Sequence, residues 1–141
     1  METLCIVKPH VLSQEEKILW LIGESGLVCV EPLSCEWTEP MVRFLCRGSE
    51  DVLKMAMEYL LGHPAHLYII RGEKAVERFY QLAGTAVAPN ECARETIRYR
   101  FGEHTPRLLP SGTHYWLNAV HRPINPAEAL VQLSEFYGGI W

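Results

Sequence analysis

Four residues of this sequence, spread along the chain, could together handle an anionic, phosphorylated ligand: Lys8, Arg98, Asn118 and His121. A lysine and an arginine supply the positive charge that phosphate oxygens call for. A neutral imidazole is a competent nucleophile. Taken singly, each has an ordinary reading. Lys8 suits a solvated strand end, and Arg98, with Arg94 one helical turn before it, suits a solvated helix face. His121 alone is more often a surface or core histidine, and Asn118 alone means little. The other histidines lack metal spacing, and the phosphate-binding glycine motifs GxGxxG and GxxxxGK[ST] do not occur. What gives the four weight is their placement near the ends of apolar runs, because the ends of sheet strands are where α/β proteins hold ligands.

The elements that must position them follow from periodicity and punctuation. Thr3 to Val7 reads as a strand that ends at Lys8-Pro9. Ser13, with Glu16 three residues on, has the spacing of a capping box and heads a helix that stops at Gly26. Leu27 to Leu33 is a second strand. Thr38 and Ser49 cap two helices that run to Leu45 and Leu61, the second offering Val52, Leu53, Met55, Met57 and Leu60 to the core. Leu67 to Ile70 is a third strand and Lys74 to Leu82 a helix. A helical turn is expected within Cys92 to Tyr99, and a loop from Glu103 to Gly112. Tyr115 to Val120 is the fourth strand. Asn125-Pro126 opens a last helix with Ala129, Leu130, Leu133 and Tyr137 on its apolar side. Strands alternating with helices predict a sheet with helices packed on it.

Composition narrows the class. The 141 residues, 48% hydrophobic and 21% charged, fit a single globular domain over 1–141. A net charge of −4 argues against a dedicated nucleic-acid surface. The five cysteines are odd in number and form no CxxC pair, which suits a reducing compartment and not a disulfide framework. METLCIVKPH lacks the pattern of a signal peptide, and no apolar run is long enough to span a bilayer, so a cytoplasmic protein without membrane contact is expected.

Four segments in order resemble the nucleoside diphosphate kinases: TLCIVKPHVL, HPAHLYIIRGEKAV, AGTAVAPNECARETIRYRFG and NAVHRPINPAEALVQLSEFY. The resemblance spans nearly the whole chain. It implies a ferredoxin-like βαββαβ sandwich, α/β (α+β) in class, with a four-stranded antiparallel sheet and helices packed on it. It implies transfer of the terminal phosphate of ATP to nucleoside diphosphates through a phosphohistidine, with Mg2+ carried by the nucleotide phosphates and not by protein ligands. His121 matches the phosphorylated histidine. Lys8, Asn118 and Arg98 match residues that hold the phosphates and the sugar hydroxyl. A homo-oligomer, dimer or assembly of dimers, is the family's habit.

The sequence also departs from the family pattern. Arg122, Pro123 and Ile124 follow His121 where glycine, serine and aspartate are usual. Gln132 stands at the position of the glutamate that orients the imidazole, so an acceptor is kept and a charge lost. Phe44 takes the place of a tyrosine near the phosphates, Tyr80 that of a phosphate-binding arginine, and Ala86 or Thr85 that of its threonine partner. Tyr99 replaces the glycine after the arginine, and the segment from Arg98 to His121 is longer than usual. Arg47 and Arg122 could restore charge lost at Tyr80. Val52 and Tyr115 fall where the base is held, and core packing suits them equally well. Two readings follow: a divergent but active kinase, favoured by retention of Lys8, Arg98, Asn118 and His121, and a catalytically impaired nucleotide-binding or scaffold domain, favoured by Tyr80, Pro123 and Gln132.

Overall fold

The computed structural model describes residues 1–138. In chain order its elements are β1 (Glu2–Val7), α1 (Glu15–Glu24), β2 (Val28–Glu36), α2 (Glu39–Leu45), α3 (Glu50–Leu60), β3 (Pro64–Arg71), α4 (Ala75–Ala83), α5 (Ile97–Phe101), β4 (Arg107–Leu108), β5 (His114–Tyr115), β6 (Val120–His121) and α6 (Pro126–Leu133). The main sheet has the order β2-β3-β1-β6, antiparallel at every pairing. With α1 and α4 on one face and α2 and α3 on the other, this is the ferredoxin-like sandwich.

β1 shows why the sheet sits in the middle. Side chains of a strand alternate between its two faces. Cys5 and Val7 pack with Ile18 and Ile22 of α1 and Phe79 of α4. Leu4 and Ile6 pack with Val42 of α2, Leu60 of α3 and Trp37. Because both faces are covered, β1 is apolar without a break from Leu4 to Val7. β2, at the sheet edge, is largely exposed and carries a register shift between Val30 and Leu33, where Glu31 adopts φ 53° beside Pro32. A bulge of this kind and a proline within the strand suit an edge, where one side of the strand has no ladder to keep.

Two of the expected caps are made by their own side chains, Thr38 accepting from the Met41 amide and Ser49 from Val52; Asn125, where the last helix opens, likewise accepts from Glu128. The expected start at Ser13 is not where α1 begins. Pro9, pre-set for helical φ, starts a 3-10 turn over Pro9–Gln14, and α1 follows from Glu15 with no side-chain cap. In α3 Ala56 and Leu60 are buried in the core and Leu53 and Met57 pack against it, as expected for the last three, whereas Val52 and Met55 face a cleft. Leu130 of α6 is exposed. The helical turn expected in Cys92 to Tyr99 starts later, at Ile97, with Thr96 as its cap.

The largest correction lies between Glu103 and His121. The expected loop contains a small hairpin, β4 paired with β5, turning at Gly112 with φ 90°. The expected strand Tyr115 to Val120 is divided. Tyr115 belongs to the hairpin, and only Val120 and His121 pair with β1. Between them Ala119 takes φ 75°, and the Val120 amide bonds the Asn118 carbonyl at 2.9 Å. That is a γ-turn with positive φ, a strained conformation for a residue with a Cβ.

Candidate functional site

The ends of β1 and β6 meet α3, the hairpin and the loop after α4 around a cleft of about 350 Å3. Lys8, Arg47, Val52, Arg98, Tyr115, Asn118 and His121 all line it. Gln132 lies behind His121, reaching the ring from α6. Phe44 does not line the cleft. It sits half-exposed with its ring 6.2 Å from that of Phe136.

At the inner end the polar groups are held before any ligand arrives. Lys8 Nζ donates to Asn118 Oδ1 at 2.8 Å, and Asn118 Nδ2 donates to the Val87 carbonyl at 3.3 Å. Arg98 donates through Nη2 to the Val120 carbonyl at 3.0 Å and through Nη1 to that of Ala86 at 2.8 Å. Lys8, Arg98 and Arg122 are all buried. Among the described residues no carboxylate pairs with any of these three cations. Burial without a counter-ion disfavours charge. Lys8 is accordingly pulled down to about 8, by burial first and by Arg98 and Arg122 after it. Arg98 is drawn down to about 9 by burial and then by Arg122. A buried cationic cluster with no carboxylate partner has the chemistry that suits an anionic ligand.

His121 projects from β6 with Nε2 2.8 Å from Gln132 Oε1. The protein packed around the ring holds its pKa down to about 3; the Gln132 bond opposes this, and Lys8, Arg98 and Arg122 add to it. The imidazole is therefore neutral at physiological pH. The ring nitrogen that faces away from Gln132, Nδ1, carries the free lone pair whenever Nε2 donates.

Arg122 brings its charge to Tyr80. Its guanidinium lies over the Tyr80 ring, 4.5 Å from the centroid, and donates to the Gly84 carbonyl at 3.0 and 3.1 Å. Gly84 must be glycine here: at φ 117° a Cβ would stand 2.8 Å from Cys92 Sγ and 3.0 Å from Arg98 Cβ. Arg47, exposed at the cleft mouth, pairs with Glu128.

Sequence reasoning missed several lining residues. Trp116 and His114 come from the hairpin, Met55 from α3, and Glu128 from α6. A detectable signal for Glu128 was its i, i+4 spacing to Gln132 on one helix face. For Trp116 the available signal was an aromatic pair, Tyr115-Trp116, directly before Asn118.

A family profile described as nucleoside diphosphate kinase matches residues 1–139. No curated protein sequence matches the chain. Among solved structures, the chain is similar to a transition-state mimic of the nucleoside diphosphate kinase from Borrelia burgdorferi with bound vanadate and ADP. The TM-score is 0.82 at 22% identity, over 97% of this chain and 86% of that one. It is similar also to the Aquifex aeolicus nucleoside diphosphate kinase, with TM-score 0.78, 22% identity and coverage of 98% and 95%. An NDP kinase from Pyrobaculum aerophilum gives TM-score 0.79 at 17% identity, over 96% and 94%.

Proposed function

The chain belongs to the nucleoside diphosphate kinase family, and from that premise we propose that it transfers the terminal phosphate of a nucleoside triphosphate to a nucleoside diphosphate through His121. The observation that carries the reading is the gathering of Lys8, Arg98, Asn118 and a neutral His121 around one cleft whose buried cations have no carboxylate partner.

In the first half-reaction Nδ1 of His121 attacks the terminal phosphorus in line. The N–P bond forms as the bridging P–O bond breaks, and the nucleoside diphosphate leaves. The attack uses a lone pair, so no proton has to be removed first. Charge spread over the phosphoryl oxygens meets Lys8, Arg98 and Arg122, so positioning and electrostatics supply most of the rate. Positive charge growing on the ring is received by the Oε1 of Gln132 through Nε2–H. The second half-reaction reverses these steps with a different diphosphate. Asn118 is read as a partner of the sugar hydroxyl, and Val52 and Tyr115 as walls for the base. The groups at the inner end are cations, which suit phosphate oxygens and not a divalent ion, so magnesium is read as carried by the nucleotide phosphates. The unpaired edge of β2 suits assembly with a second copy.

Incubating the pure protein with ATP labelled in the terminal phosphate should give an acid-labile, base-stable phosphoprotein, and His121→Ala should abolish it. Absence of label on folded wild-type protein would overturn the transfer. The impaired-domain reading keeps one observation in its favour, the neutral amide of Gln132 behind the histidine, which stabilises an imidazolium less than a carboxylate does. Binding of ADP in calorimetry without labelling would support that second reading.

A further inference from the structure

Resting on the transfer reading, one question about His121 is open: what keeps the proton on Nε2 and the lone pair on Nδ1. Gln132 by itself cannot decide it. Its side-chain amide has an oxygen and an NH2 group at nearly the same place. The oxygen would accept from Nε2–H. The NH2, turned round, would donate to a bare Nε2 and send the proton to Nδ1, where it blocks attack.

Glu128, one turn earlier on α6, decides the orientation. Gln132 Nε2 lies 3.2 Å from Glu128 Oε1, and an ionised carboxylate can only accept. With its NH2 committed there, Gln132 presents Oε1 to His121 Nε2 at 2.8 Å, and only Nε2–H makes that contact a hydrogen bond. Glu128 is itself fixed at both ends. Its amide donates to Asn125 Oδ1 at 2.8 Å, and its other carboxylate oxygen takes the Arg47 guanidinium. The carboxylate side chain is largely buried, whereas Arg47 is exposed. We infer that Glu128 is a positioning residue: held by Arg47, it sets the orientation of the Gln132 amide and through it the tautomer of His121. A charge that would otherwise sit directly behind the imidazole stands one residue further back.

The test is nitrogen-15 NMR of the His121 ring in the ligand-free protein near neutral pH, with the amide spectrum as the check of folding. Wild type should show the Nε2–H tautomer. Glu128→Ala should give a mixture of tautomers, and phosphohistidine formation from ATP should slow about fivefold, the worth of one hydrogen bond. Glu128→Gln, which keeps the size, should move the ring toward Nδ1–H, because Arg47 can only donate and takes the new amide's oxygen, leaving its NH2 to face Gln132 and turn that amide round. The double variant Glu128→Ala/Gln132→Glu should return the ring to Nε2–H, since a carboxylate at 132 accepts without being oriented. An Nδ1–H ring in wild type, or unchanged ring shifts in both single variants, overturns the inference. If the tautomer responds as stated while wild type is never labelled, the transfer reading fails and the orienting role of Glu128 stands.

Discussion

The two ends of the cleft are built on different plans. At the inner end, Lys8, Arg98, Arg122 and Asn118 are buried and tied to backbone carbonyls or to one another. Their positions are set before a ligand binds. At the outer end, His114, Tyr115 and Trp116 come from a short hairpin, whose tip is fastened to α3 by the Ser111 amide and hydroxyl donating to the Glu58 carboxylate at 3.0 and 2.8 Å. Preorganised charge is what phosphoryl transfer needs. A surface-held hairpin offers apolar and aromatic area to whatever is attached to the phosphates. The contrast predicts that damage to the inner end strikes the chemical step and damage to the outer end strikes binding.

The most severe break should come from Arg98→Met, which removes a buried charge from the inner end of the cleft while keeping an unbranched side chain. The labelling rate should fall by about a hundredfold to a thousandfold, and a rate within a few fold of wild type would show the inner end to be idle. Next in size is ligand-dependent stability. Inorganic phosphate at a hundred times its dissociation constant should stabilise the fold by about 2.7 kcal/mol, seen as a rise in melting temperature. That rise should shrink as pH climbs through about 8, because Lys8 is a cation below that value and neutral above it. Without ligand the sign is opposite: between about 8 and the ordinary lysine value of 10.5 the unfolded chain binds the extra proton at Lys8, so stability rises with pH there. A melting shift that ignores pH would remove Lys8 from the anion site.

At the outer end, Trp116→Ala should raise KM for the nucleotide about tenfold, the worth of a stacked aromatic, with kcat nearly unchanged. A loss in kcat instead would erase the distinction between the ends. The smallest effect is expected from Glu58→Ala, which frees the hairpin tip. KM should rise about twofold, as for one exposed hydrogen bond, and hydrogen exchange at Ser111 and Gly112 should quicken.

The same contrast explains what could be read in the sequence. Lys8, Arg98, Asn118 and His121 lie next to strand ends or in short motifs, so residue type and order locate them even at low identity. The apolar run of β1 and the caps at Thr38 and Ser49 are local signals and are legible for that reason. Tyr115 to Val120 is an apolar run of strand length, and nothing in its residues marks the division. The γ-turn at Ala119 is imposed by bonds to Lys8 and His10, over a hundred residues away in the chain. Trp116 and Glu128 carry signals that are faint without the fold: an aromatic pair before Asn118, and a four-residue spacing to Gln132 on one helix face. Phe44 was assigned by position alone, and the turn of α2 carries it away from the cleft.

The reversal at Ala119 gives His10 a task although it lines no part of the cleft. The Ala119 amide donates to His10 Nε2 at 3.2 Å, and the Lys8 amide donates to the Ala119 carbonyl at 2.9 Å. Burial, with Lys8 and Arg107 nearby, pulls His10 down to about 4, so it remains a hydrogen-bond acceptor until the solution is strongly acid. Acid would then unlatch the bend that separates Asn118 from His121, and the Ala119 amide resonance should move in step with the His10 ring.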